Sequence, residues 1–241
     1  MSEIITVLSG KGGTGKTLFT VNMGVHLALK GKKVLIMDTD FGARGVDIAL
    51  GMESRVIYDM VDVLKGDCRI KQALVENRKY RGLFILEPPV VKKGGGISLI
   101  ELSVLIDRVK SGFDYIIIDT PAGMSSVTEG LAAKSDKILL VTTQDPVSVR
   151  SGQSLLTSLK DRGIKDVELL INKVKLKLAD KGYLMDVEDI AESFGTEVCG
   201  VIPYDEAMHV AYNNGCAVVD IEDSRGADHL NRVIQRFLLT E

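Results

Sequence analysis

One nine-residue stretch near the amino terminus limits what this chain can fold into. Ser9-Gly10-Lys11-Gly12-Gly13-Thr14-Gly15-Lys16-Thr17 fits the phosphate-binding spacing G-x-x-x-x-G-K-[ST], opened by Gly10 and closed by Gly15-Lys16-Thr17. The segment before it, Ile4-Ile5-Thr6-Val7-Leu8, is apolar and β-branched and predicts a buried strand. After it, Leu18, Val21, Val25 and Leu29 lie on one helical stripe between Lys16 and Lys30. A glycine loop joining a strand to a helix N-terminus turns backbone N–H groups inward, and the positive end of the helix favours anions there. The candidate phosphate ligands are therefore Gly10, Lys11, Gly12, Gly13, Thr14, Gly15, Lys16 and Thr17. Lys16 would reach the β- and γ-phosphates of a nucleotide, and the Thr17 hydroxyl would ligate Mg²⁺. Lys11 is an extra cation that the cradle itself does not need.

Two later strands end in carboxylates. Lys33-Val34-Leu35-Ile36-Met37-Asp38 leads into an acidic, glycine-broken loop from Asp38 to Asp47. Tyr115-Ile116-Ile117-Ile118-Asp119 leads into Thr120-Pro121-Ala122-Gly123. Carboxylates at the carboxyl ends of parallel strands fall beside the phosphate loop, where a metal and a water are held. Asp38 and Asp119 are thus candidates to hold Mg²⁺ through water, and Asp40 to orient the attacking water. Gly123 would offer its N–H to the γ-phosphate.

The remaining pattern alternates. Strands are predicted over Leu83 to Leu86, Lys137 to Thr142, Asp166 to Ile171 and Glu197 to Ile202. Helices are predicted over parts of Ser54 to Glu76, over Ser98 to Lys110, Pro146 to Arg162 and Asp186 to Phe194, and a closing helix over Ala227 to Leu239. About seven alternations and no proline- or serine-rich linker give one α/β domain over residues 1–241, a mainly parallel sheet with helices on both faces. The loop Val90 to Gly96, with Lys92 and Lys93, reads as a surface loop, and Lys173, Lys175, Lys177 and Lys181 as a solvated face. His26, His209 and His229 read as structural or surface residues.

Composition removes several classes. The chain is 45% hydrophobic and 26% charged with net charge −3, as in soluble globular proteins, and this balance argues against a whole-surface nucleic-acid binder. Cys68, Cys199 and Cys216 form no C-x-x-C pair and read as reduced cytosolic thiols, not as a zinc site, cluster site or disulfide frame. No apolar run approaches the ~18 residues that span a bilayer, and the first strand begins too early for a signal peptide. These features place the chain in the cytoplasm.

Several motifs together resemble the MinD/ParA ATPases. Lys11-Gly12-Gly13-x-Gly15-Lys16-Thr17 is similar to their deviant Walker A motif. Asp38-x-Asp40-x-Gly42-x-Arg44-x-x-Asp47-x-x-Leu50-Gly51 resembles the switch I region of the MinD branch, Asp119-x-Pro121-Ala122-Gly123 its switch II, and Gly200-Val201-Ile202-Pro203 its nucleotide-base loop. The resemblance covers essentially the whole chain and implies a P-loop NTPase fold that uses ATP/ADP and Mg²⁺. It implies Lys11, Lys16 and Asp40 as catalytic residues and Asn172, Pro203 and Asp205 as adenine contacts. It implies an ATP-dependent face-to-face homodimer, with Lys11 reaching the partner's nucleotide, and an activator or effector protein that binds the dimer. Two departures stand out. Lys173 occupies a position where bacterial cell-division members tend to carry arginine, and the sequence stops at Glu241 without a basic amphipathic tail. Membrane contact is therefore expected only through a partner or a missing tail, and DNA is not an expected partner. Division-site selection is the first expectation; flagellar positioning, DNA partition and metal insertion are the alternatives.

Overall fold

The computed structural model describes residues 2–41, 44–90, 96–221 and 224–239. Gly42 and Ala43 of the acidic loop, and Lys92 and Lys93 of the later loop, lie outside the described residues. The strands are β1 Glu3–Leu8, β2 Val34–Asp38, β3 Val75–Glu76, β4 Leu83–Leu86, β5 Tyr115–Asp119, β6 Lys137–Thr143, β7 Val167–Val174 and β8 Val198–Pro203. The helices are α1 Lys16–Leu29, α2 Val46–Ala49, α3 Met60–Lys65, α4 Ile70–Ala73, α5 Leu99–Val109, α6 Ser126–Ala132, α7 Pro146–Asp161, α8 Leu176–Ala179, α9 Val187–Phe194, α10 Glu206–Asn213 and α11 Arg225–Leu239.

Among the described residues the strands form one sheet in the order β3-β4-β2-β5-β1-β6-β7-β8. Every pairing is parallel except β3 with β4. That short edge strand was not expected from the sequence, which reads seven strands. Parallel strands covered on both faces read as continuous apolar runs, as Val34-Leu35-Ile36-Met37 does, each residue fully buried. Alternate side chains go to opposite faces. Ile5, Val7, Ile36 and Ile117 join α1, α10 and α11 in one core layer. Leu35, Met37, Ile116 and Ile118 face α3, α5 and α6, while Leu140, Leu169 and Ile171 face α7 and α9.

The closing helix belongs to this core. Leu230, Val233, Ile234 and Phe237 are buried in the layer with α1, as the apolar spacing predicts. Lys137 donates to the carbonyls of Phe237 (3.1 Å) and Leu238 (3.2 Å), satisfying acceptors that the end of a helix leaves open.

The strand order puts β1 where chain direction across the sheet reverses, the place where ligands collect in open α/β sheets. Register aligns Asp38 with Asp119 and Val7 with Asp119, so both acidic strand ends flank the loop that leaves β1.

Candidate nucleotide site

Helix α1 starts without a side-chain cap. Its N-cap is Gly15, at φ 94°, and its first turn carries no acidic residue. Open N–H donors and an uncompensated positive helix end remain at the loop. The left-handed φ explains the glycine in part; a Cβ there would also collide with the Asn172 side chain. Gly10 is required for another reason, since a Cβ on it would run into the backbone of Ser151 and Gly152 in α7.

Asp119 is the hub of the site. It is fully buried and accepts from Lys16 Nζ at 3.2 Å, Thr17 Oγ1 at 2.6 Å and Thr20 Oγ1 at 3.1 Å. Asp38 lies on the next strand. Its carboxylate accepts from the amides of Asp40 (2.8 Å), Gly45 (2.9 Å) and Val46 (3.3 Å), which shapes the acidic loop. Burial, followed by the charge of Asp119, pushes the Asp38 carboxyl up to about 7. Two facing carboxylates in a dry site repel, and a divalent cation between them would remove that cost. Asp40 lines the cleft; burial raises its carboxyl and the nearby Lys16 charge partly offsets this.

The cleft has a volume of about 350 Å³. The loop from Gly12 to Thr17, Asp40 and Ala122 form one end, and Asn172, Tyr204, Asp205, Met208, His209 and Tyr212 the other. Asn172 Nδ2 donates to the Thr14 carbonyl at 2.8 Å, tying the end of β7 to the phosphate loop. Lys173, at φ 59°, donates to the Gly13 carbonyl at 2.7 Å. Burial lowers the Lys173 ammonium from its ordinary value.

Thr14 Oγ1 is buried without a hydrogen-bond partner. An orphaned hydroxyl beside an uncapped helix N-terminus, a buried lysine and two carboxylates fits a polyphosphate with a divalent cation.

Not every residue expected from the sequence reaches the cleft. Pro203 ends β8 but is absent from the cleft wall, where Tyr204 and Asp205 stand instead. Both oxygens of Asp205 are engaged, accepting from Ala207 (2.8 Å) and Gly226 (2.7 Å), so the residue caps α10 as well as lining the cleft. The Gly123 N–H donates to the Ser9 carbonyl at 2.8 Å, which fastens the loop after β5 to the phosphate loop. Lys11 points to Asp145 in a neighbouring groove, at 2.8 Å.

The residue pattern left Tyr204, Met208 and Tyr212 out of the site. His209, read from the sequence as a structural or surface residue, is exposed and also forms part of the cleft wall. Glu87, at the end of β4, was also passed over. It is fully buried, neither carboxylate oxygen has a hydrogen-bond partner, and Arg44 Nε is 3.6 Å away. Burial raises its carboxyl well above the usual range, with Asp38 adding to the effect.

The AAA domain family matches residues 2–175. The septum site-determining protein MinD of Bacillus subtilis is 32% identical over 240 residues, covering 99% of this chain and 90% of that protein. The chain belongs to the MinD/ParA family of ATPases, on its MinD branch. MinD in the MinC:MinD cell division complex of Aquifex aeolicus superimposes with a TM-score of 0.89 at 30% identity, covering all of this chain and 97% of that one. The septum site-determining MinD of Pyrococcus horikoshii, solved with Mg-ADP, gives 0.84 at 26% identity, covering 98% and 95%. This MinD-type chain is an ATPase that uses ATP and Mg²⁺, and its sheet is the expected P-loop NTPase sheet.

Proposed function

We propose that this chain is an ATP-driven switch of the cytoplasm. ATP joins two copies face to face, the joined form binds an effector or activator protein, and hydrolysis separates the copies. The process served is selection of the cell-division site. The convergence of Lys16, Thr17 and Thr20 on buried Asp119 carries this reading, because it couples the phosphate-loop lysine and the first turns of α1 to the carboxylate that ends β5. The likeness to MinD in a MinC:MinD complex supports the partner-binding part.

Each residue has a role in that scheme. The amides from Gly10 to Thr17 cradle the phosphates, and Lys16 neutralises them. Thr17, Asp119 and Asp38 would hold the cation, which would supply positive charge beside the phosphates. Asp40 would hold the attacking water, Gly123 joins the phosphate loop to the chain after β5, and Asn172, Tyr204 and Asp205 mark the base end of the cleft, with Pro203 preceding Tyr204 at the end of β8. Lys11 leaves Asp145 to meet the partner copy.

Membrane contact would come through a partner protein. Among the described residues no helix is long and apolar enough to cross a membrane. The net charge of −3 counts against the DNA-partition alternative.

Replacing the natural chain by Lys16→Ala in its source cell separates the readings. Misplaced septa support division-site selection. Misplaced flagella or lost plasmids with normal septa would move the assignment to those processes, and normal cells throughout would contradict a positioning role.

A further inference from the structure

A groove of about 390 Å³ opens at the opposite end of the strands from Asp38 and Asp119. Its floor is apolar, built from Leu74, Phe84 and Phe113, the two rings meeting edge to face at 5.4 Å and 75°. Its rim carries Lys33, Lys71 and Arg108, all exposed; among the described residues no carboxylate lines it, the nearby Asp114 accepting from the Lys33 amide at 2.7 Å. Among the described residues none of these three cations is in an ion pair. Lys33 Nζ instead rests over both rings, 5.5 Å from the Phe84 centroid and 5.1 Å from that of Phe113. In a chain of net charge −3, this is a local excess of positive charge around an apolar floor.

We propose that this groove docks an acidic segment of a partner protein that carries one large apolar side chain. The apolar side chain would displace the Lys33 ammonium from over the two rings and lie on Leu74, Phe84 and Phe113, and its flanking carboxylates would meet the released Lys33, Lys71 and Arg108. Charge complementarity selects the acidic segment, as unpaired rim cations steer and orient anionic partners. The shape selects a peptide: with its rim exposed the groove is open, so it covers one side of a chain, whereas sites for small molecules enclose most of the ligand. A concave floor also fits a projecting side chain better than the face of a bilayer. The site is separate from the nucleotide cleft and does not rest on the switch reading.

The test titrates the full chain into a short fluorescein-labelled peptide of aspartates and glutamates around one phenylalanine, read by anisotropy. The wild type should bind, and binding should weaken as salt rises. The triple variant Lys33→Glu, Lys71→Glu, Arg108→Glu should weaken it by about tenfold or more, with ATP turnover unchanged. The corresponding triple change to Gln, which leaves the groove shape closer to the original, should fall between. A peptide with serine in place of phenylalanine should also bind more weakly. Absence of wild-type binding, equal binding by the charge-reversed chain, or equal binding of the serine peptide overturns the proposal. So does groove-dependent pelleting with phosphatidylglycerol vesicles, or groove-dependent self-association, in place of peptide binding.

Discussion

Lys11 Nζ lies 2.8 Å from Asp145 Oδ1, so the extra lysine of the phosphate loop is held within its own chain. Asp145 also caps α7, accepting from the Ser148 amide at 2.9 Å. Lys11 and that amide hold the Asp145 carboxyl below the usual carboxylate range. Both side chains are more than 40% exposed, at 42% and 46%, so water competes for the pair and it opens readily. The exposed pair leaves Lys11 able to change partners, as the proposed dimer requires.

Lys11→Ala should lower the dimer fraction with ATP by a large factor while leaving the fold intact. Asp145→Asn, which keeps an acceptor for the cap, should maintain or raise that fraction. Sedimentation velocity across a range of protein concentrations checks both. Equal dimer fractions for Lys11→Ala and wild type reject the cross-interface role of Lys11.

Asp40→Ala should bind ATP with near wild-type affinity and lose most turnover, since the phosphate loop and the Asp119 hub are untouched. Wild-type turnover without a partner should be slow, on the order of 10⁻⁴–10⁻² s⁻¹, as in switch NTPases that wait for an activator. Single-turnover hydrolysis measures both rates. An unchanged rate in Asp40→Ala removes that residue from the chemistry.

The buried Glu87 carboxyl titrates well above its ordinary value. Between the two values the folded chain keeps a proton that the unfolded chain has released, so stability falls as pH rises through that window. Glu87→Gln removes this contribution. Urea midpoints for variant and wild type should be similar near pH 4 and separate toward pH 7, with the variant higher. A variant less stable at pH 7 than at pH 4, relative to wild type, would mean that Glu87 is ionised and paired to Arg44 in the fold.

Phe237→Ala should destabilise the fold by about 3–5 kcal/mol, because the ring is fully buried and its helix covers β8 and α1. Thermal unfolding tests this. A loss below about 1 kcal/mol would indicate that α11 is loosely attached and available for another surface.

The parts of the fold that depend on local spacing were legible in the sequence. The phosphate loop has fixed spacing, Asp38 and Asp119 end apolar runs, and Leu230, Val233, Ile234 and Phe237 recur at helical intervals. What escaped depends on distant partners. Val75 and Glu76 form a strand because β4 offers an edge, and the helical stripe before them hides it. Helix α10 is legible only as a helical stretch around His209, without bounds, since its short apolar face, Met208 and Ala211, has meaning only against the layer that buries it. Tyr204, Met208 and Tyr212 enter the cleft because Asp205 caps that helix beside the end of β7. The Gly123 amide was expected to serve a phosphate, but its hydrogen bond to Ser9 is a tertiary contact that no spacing reveals.

The mass in solution of Asp40→Ala, measured by light scattering with Mg-ATP and again with Mg-ADP, decides whether nucleotide state controls assembly. The expected result is one chain, 26.2 kDa, with ADP and twice that mass with ATP. A single-chain mass in both nucleotides, with ATP shown to be bound, would contradict the switch.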